Sequence, residues 1–439
     1  MSLPNLTPSI STSASSSDLT FGVEIELLLL FHQELLLPQL PSGAEILKPP
    51  YPADATTIAP RFHSGPYNAM PYQSWCLRNA GHDSRSRELG RDFRGYNTEV
   101  LKIVQKLLLD HGPQEGKTGL SAVVMSDPKT ARDFSTWSIT NDASLRGLSF
   151  NDKIELLLKL GISATDADMY DTFGIELPSR VYRFADPPTW QSEIGYVLET
   201  VRGAPLPYHH HHHHGFVTQR CGLHVHIGKP AAFTLKQLKT LSHLLVLYEK
   251  RFNALHPWHR SEEGCFAETW ELHSNLDAFG IEPIVPDSPV SGEEVVLDDD
   301  DEGDPAWEMR RLAHETISAT ATTDSLIKLM CPSGKAHIVN LTYLLPKRQD
   351  AGFAPTIEFR QHAGCLDMDS VAWWVRFLGS LVNLCVTDDR CISVIKLMDD
   401  AMLDTHGHGD LDSLWDAIGF AEEGRMHFRR KMYDYRNCV

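Results

Sequence analysis

The stretch CGLHVHIG at residues 221–228 decides how the rest of the chain is read. Side chains of a β-strand point alternately to opposite faces. A strand here sends Leu223, Val225 and Ile227 into a core and presents His224 and His226 on the other face. FGVEIE at 21–26 has the same construction, with Phe21, Val23 and Ile25 on one face and Glu24 and Glu26 on the other. TIEFR at 356–360 repeats it, with Ile357 and Phe359 opposed to Glu358 and Arg360. We expect these strands to share one sheet and to converge their polar faces on one site.

Each pattern has a plainer explanation when taken alone. An E-x-E also marks an edge strand with one face in water, and an H-x-H can be two satisfied core histidines. Glu358 and Arg360 would pass for an ordinary charge pair on a sheet face, common and weak. Against the edge-strand explanation, the residues after Glu26 run Leu27 to Phe31 without a polar side chain, which predicts a covered, central strand. Carboxylates buried side by side need a cation or a shared proton.

The whole chain bounds the possibilities. Its 439 residues carry 42% hydrophobic and 22% charged side chains, enough for a large core. A formal charge of −18 tells against a general nucleic-acid binder, which needs clustered Lys and Arg on phosphates. Eight scattered cysteines form no C-x-x-C pair, which points to a reduced, cytoplasmic protein. Residues 1–18 read as a polar, disordered tail without a secretory signal, and the apolar run at 27–31 is too short to span a membrane.

A walk along the chain predicts an α+β protein. Residues 38–66, dense in Pro and Gly, read as an irregular connection. From Tyr96 a helix carries Val100, Leu101, Val104, Leu107 and Leu108 at helical spacing. WSITNDASL at 137–145 is a strand running into a turn, with Asp142 and Ser144 at its end, and FGIELPS at 173–179 is a strand presenting Glu176. Residues 151–172 carry no clear pattern. A helix at 190–201 follows, and then six consecutive histidines at 209–214. That run reads as a purification tag in a loop and is left out of the chemistry. After CGLHVHIG comes a helix capped at Thr234 and stopping before Pro257. The acidic stretch 287–304 reads as a solvated insertion. A helix at 307–330, a strand at 336–345 containing Asn340, a helix from Ser370 to about 386 and two short C-terminal helices complete the prediction. We expect one catalytic domain over 19–390 with a helical extension, 391–439, packed on it.

Jointly the three strands say more than any one alone. Several carboxylates with one or two imidazoles suit Mg²⁺ or Mn²⁺ better than a structural zinc. No GxxxxGK[ST] and no GxGxxG in a βαβ setting occurs, so Walker-type and Rossmann-type nucleotide sites are not supported.

FGVEIE, the D-x-S of NDASL, GIELPS, CGLHVHIG and TIEFRQHAG, in that order, resemble the motifs of the amidoligase family. That family belongs to the carboxylate–amine ligase superfamily, with glutamine synthetase and glutamate–cysteine ligase. The resemblance runs from about Phe21 to the helix after Gly364 and leaves out 257–304, the histidine run and the C-terminus. It implies a glutamine-synthetase-like antiparallel sheet with helices on its outer face, holding ATP and Mg²⁺ or Mn²⁺. By motif position, Glu24, Glu26, Glu176, His224 and Glu358 would ligate metal. Arg360 would stabilise the transferring phosphoryl group, with His224 and His226 as further nucleotide contacts. Asp142 would orient or deprotonate the amine, and His226 completes the catalytic set. The implied reaction is phosphorylation of a small-molecule or peptide carboxylate by ATP, then attack of an amine on the acyl phosphate; apart from the resemblance, we expect the insertion 257–304, or part of it, to cover the site. Two other readings compete: a zinc hydrolase built on the H-x-H strand, and a relative that keeps the fold only to bind a partner.

Overall fold

The computed structural model of the chain describes residues 18–32, 35, 44–47, 76–79, 92–110, 120–125, 134–142, 144–145, 148, 150–203, 213–260, 274–275, 305–387, 397 and 411–437. The expected N-terminal tail (save Asp18), His209–His212, the 287–304 insertion and most of the proposed cover fall outside them. Among the described residues, nine strands form one sheet: β1 (Thr20–His32), β4 (Ala122–Val124), β5 (Trp137–Asn141), β6 (Tyr170–Pro178), β7 (Tyr182–Arg183), β8 (His213–Phe216), β9 (Gly222–Gly228), β10 (Val339–Asn340) and β11 (Ile357–Ala363). The sheet is antiparallel apart from the β4–β5 pair. The expected α+β class is therefore what the chain adopts.

The long strand β1 organises the sheet. One edge pairs first with β9 and then with β8, and the other with β7 and then β6. Phe21, Val23, Ile25, Leu27, Leu29 and Phe31 join the main core together with Leu223, Val225 and Ile227 of β9 and Ile357 and Phe359 of β11. On the opposite face the character changes part-way along. Glu24 and Glu26 are followed by Leu28, packed with Leu145 and Cys221, and by Leu30, packed with Leu157 and Ala167. The unbroken apolar run after Glu26 thus marks where the second face of the strand is also covered.

Helices fill the core side. The helix Pro187–Arg202 buries Trp190, Ile194, Val197, Leu198 and Val201, the stripe its spacing predicts. The helix Leu235–Asn253 begins with a capping box in which Thr234 accepts from the Gln237 backbone N–H and the Gln237 side chain from that of Thr234. The helices Met368–Val386, Leu411–Ile418 and Glu422–Asn437 bring Trp374, Trp415 and Phe428 into the same core. Among the described residues no helix is long and apolar enough to cross a membrane. Cys221, Cys331, Cys365 and Cys385 are free thiols.

Several expectations are corrected. Ala44–Leu47, inside the stretch expected to be irregular, is a strand (β2) paired with Cys76–Asn79 (β3). Residues 151–172 hold a helix, Phe150–Lys159, that ends at Gly161 with φ 75°. The last two histidines of the run belong to β8, where His213 pairs with Phe31 and His214 with Leu30, so the run is not wholly a loop. The single helix expected over 307–330 is two, Pro305–Ala319 and Thr323–Met330, because the Thr322 side chain caps the second. The strand expected over 336–345 shrinks to β10, because Asn340 Oδ1 accepts from Thr342 N at 2.9 Å and turns the chain.

One buried amide fixes β10. Asn275 donates to Met330 O and Val339 O at 2.8 and 3.0 Å and accepts from Val339 N at 3.0 Å. Replacing it by Ala strands three backbone groups where water does not reach. Asn275→Ala is expected to cost about 1–3 kcal/mol, read as a lower urea midpoint at unchanged slope.

Candidate metal centre

Register places the polar residues of β1, β6, β9, β10 and β11 side by side. Glu24 lies opposite His224, Glu26 opposite Glu176, His226 opposite Glu358, and Glu358 opposite Asn340. The three motif strands therefore meet as expected. His224 Nδ1 lies 3.4 Å from Glu24 Oε2 and 3.5 Å from Glu358 Oε1, while its Nε2 lies 3.4 Å from Glu26 Oε1. His226 Nε2 is 3.3 Å from Glu24 Oε1 and 3.8 Å from Glu358 Oε1. Its Nδ1 is 3.0 Å from the Thr356 hydroxyl.

Glu24, Glu26 and His224 are buried, Glu358 is fully so, at 0% exposure, and Glu176, His226 and Arg360 are half-buried. Arg360 Nη1 donates to Glu358 Oε1 at 2.7 Å and Asn340 Nδ2 to Oε2 at 2.6 Å, so both oxygens are held. The backbone N–H of Gly222 donates to Glu26 Oε2 at 2.6 Å. Glu26 thus faces a backbone donor and His224, a position that orients the imidazole.

Charge is unevenly compensated on this face. Burial would raise the Glu24 carboxyl, but His226 and His224 outweigh it and hold Glu24 well below the ordinary carboxylate range. Burial also works on Glu358, where the Arg360 guanidinium, helped by His226 and His224, lowers the carboxyl. Glu176 has no such cation: burial, and then Glu24, Glu26 and Asp142, push it well above the usual value. A proton, or a metal in its place, relieves that repulsion.

Among the described residues, two sets of three side chains offer ligand atoms within 4.8 Å of one another: Glu24, Glu176 and His224, and Glu24, His226 and Glu358. Glu24 is common to both. Glu26 and Asp142 join neither. Asp142 Oδ1 instead accepts from Ser144 N and Ser144 Oγ, both at 2.8 Å, so the D-x-S closes the turn after β5. The residues fit a divalent cation in their chemistry, hard oxygens with one imidazole per set. The Nε of Arg360 is buried and has no hydrogen-bond partner among the described residues, which leaves one donor for an anionic ligand.

Two neighbours carried no signal in the sequence. Arg260, buried, donates through Nη2 to Arg360 O at 2.6 Å and through Nε to Gln361 O at 3.3 Å. These carbonyls lie where the register of β11 shifts between Phe359 and His362, so Arg260 clamps an irregularity next to the site. Asn340 was visible only as a strand residue. Gly222 is required by packing, since a Cβ there would lie 2.9 Å from both Arg260 Nη2 and His224 Nε2. Gly364 is also a close approach, to Cys221, whose Cβ would be 2.5 Å away. Comparison with known proteins gives no match to a family model, to a curated protein or to a solved structure.

The raised Glu176 carboxyl has a measurable consequence. A carboxyl whose folded-state value is raised contributes stability at low pH that is lost as pH rises through that value. Glu176→Gln is therefore expected to raise the melting temperature of the metal-free protein at about pH 9 and to change it little at about pH 5. Equal effects at both values would show that Glu176 carries no retained proton.

Proposed function

We propose that the protein is an ATP-dependent carboxylate–amine ligase with a Mg²⁺ or Mn²⁺ centre on the polar face of β1, β6, β9 and β11. The observation that carries this reading is the sharing of Glu24 by two ligand sets. A carboxylate common to two cation positions suits a polyphosphate, whose oxygens need more than one positive centre. Glu24, Glu176 and His224 would hold one cation, and Glu24, His226 and Glu358 the other. When bound, the cations would supply charge neutralisation for the phosphoryl group in flight. Arg360, fixed by Glu358 and with its Nε unoccupied, is placed to add a guanidinium contact to the same oxygens.

In this reaction a substrate carboxylate oxygen attacks the terminal phosphorus and ADP leaves. The amine nitrogen then attacks the acyl carbon, phosphate departs and the amine gives up a proton. The resemblance of the five motifs to the amidoligase family agrees with this reading. Asp142 contributes less than its motif position implies, because Ser144 occupies one of its oxygens. The zinc-hydrolase alternative needs both histidines on one ion, and His224 and His226 fall in different sets.

The test is release of ADP and phosphate that requires both a carboxylate and an amine. Glu358→Gln should lower it by at least about a hundredfold while near-ultraviolet circular dichroism stays native. Full activity in Glu358→Gln would exclude the metal assignment. Metal stoichiometry is best read after His209–His212 are changed to Ala, with His213 and His214 kept because they belong to β8.

A further inference from the structure

Beside the carboxylates, at the end of the sheet where β1 begins and β9 ends, lies a pocket that opens to solvent, with about 550 Å³ of empty space when the open solvent at its entrance is counted in. Glu24 and His226 are among its lining residues. Its floor is bare backbone at Gly22 and Gly228, which the register sets beside each other: Gly22 faces His226, and Gly228 faces Thr20. Phe134 and Val181 wall one side, Tyr343 and Phe353 the other. Val181 is 42% exposed, a large apolar side chain left open at a pocket wall. The ring of Tyr343 lies 5.4 Å from that of His226 and 5.4 Å from that of Phe353, so neighbouring rings link His226 to Phe353 along the pocket.

Gly22 is the informative residue. Neither its backbone nor its packing demands glycine. Its φ is not among the positive ones. An added Cβ would meet nothing nearer than Ser179 Oγ at 3.5 Å, an ordinary contact. By contrast Gly222 and Gly364 are glycine because protein atoms crowd them. A strand interior pays a conformational penalty for glycine, and among the described residues nothing accounts for the bare position at 22, whereas a ligand lying on it would. Glycine floor and aromatic walls together suit a flat, uncharged ring.

We propose that this pocket seats a flat apolar ring carried by the amine substrate of the ligase, with the amino group directed to the Glu24 end. This rests on the ligase reading for the substrate's role, though not for the binding itself. Two observations choose the amine substrate over the nucleobase of ATP. Gly22 and Glu24 are two residues apart, about 7 Å along a strand, so a group one to three bonds from the ring already reaches the carboxylate. A nucleobase is separated from its terminal phosphates by a ribose and a further phosphate. Among the described residues lining the pocket the titratable side chains near the carboxylates are Glu24 and His226, with no Lys or Arg to receive an anion.

The experiment is a calorimetric titration of the metal-free, nucleotide-free full chain with 2-phenylethylamine, ethylamine, 3-phenylpropionate and adenosine. The expected result is that 2-phenylethylamine binds at least about tenfold tighter than ethylamine. It should also bind more tightly than 3-phenylpropionate and should not be displaced by adenosine. Gly22→Ala should weaken 2-phenylethylamine by about tenfold or more at an unchanged or raised melting temperature, and Phe353→Ala on the facing wall should weaken it in parallel. Equal binding of 2-phenylethylamine and ethylamine, or no loss in both variants, overturns the proposal. Displacement by adenosine reassigns the pocket to the nucleobase, and preference for 3-phenylpropionate reassigns it to the carboxylate substrate; either overturns the proposal as stated. The outcomes separate from those of the ligase assay. Ring-dependent binding without ATP turnover sinks the ligase reading and leaves the pocket. Turnover of ATP without ring-dependent binding does the reverse.

Discussion

Four glutamates, Glu24, Glu26, Glu176 and Glu358, face one another on a sheet surface from which water is largely excluded. Ionised groups in such surroundings lose several kcal/mol of hydration each unless partners replace it. Much of the architecture near the site can be understood as the means of supplying those partners. Arg360 and the two imidazoles answer part of the negative charge, and the Gly222 N–H and the Asn340 amide answer part of the hydrogen bonding. The compensation is incomplete at Glu176, where burial and the neighbouring carboxylates hold the carboxyl well above the ordinary range.

The partners are themselves held by groups far away in the chain. Glu249, in the middle of a long helix, accepts from Ser274 Oγ and from Asn275 N. Asn275 in turn grips Val339 on both sides of its peptide unit, and the next residue, Asn340, carries the amide that holds Glu358. On the other flank Arg260 secures the carbonyls of β11, and Gln361 is tied to Asn253 at the end of that same helix. The helix thus sets β10 and β11 relative to each other, and through them the position of one carboxylate. Rigid support of this kind is what a metal or phosphoryl site needs, because its ligands must meet within a few tenths of an ångström.

What the sequence revealed follows from which forces are periodic. Burial of one sheet face imposes a period of two, so FGVEIE, GIELPS, CGLHVHIG and TIEFR expose both their core and their site residues to a reader. The helical stripe from Trp190 to Val201 and the cap at Thr234 are legible for the same local reason. Arg260 was not legible, because it meets β11 across 100 positions. The Gly222 contact to Glu26 spans 196. The turn that Asp142 closes with Ser144 could not be told from a substrate contact, because Asp next to a turn is used by the backbone as readily as by a substrate. The strand β8 was hidden by its composition: histidines seldom mark a strand, and only the need to pair the second half of β1 makes them one.

The shift in register inside β11 has a consequence for metal preference. Strict alternation would have sent Phe359 to the core, Arg360 to the site, Gln361 to the core and His362 to the site. The shift places His362 opposite Leu223, on the core side, where its ring lies 5.3 Å from His256 and 5.5 Å from Trp374. One inserted residue therefore withholds a third imidazole from a face that already holds two. With that imidazole the donors would lean toward zinc and copper; without it, carboxylate oxygens outnumber imidazoles on this face.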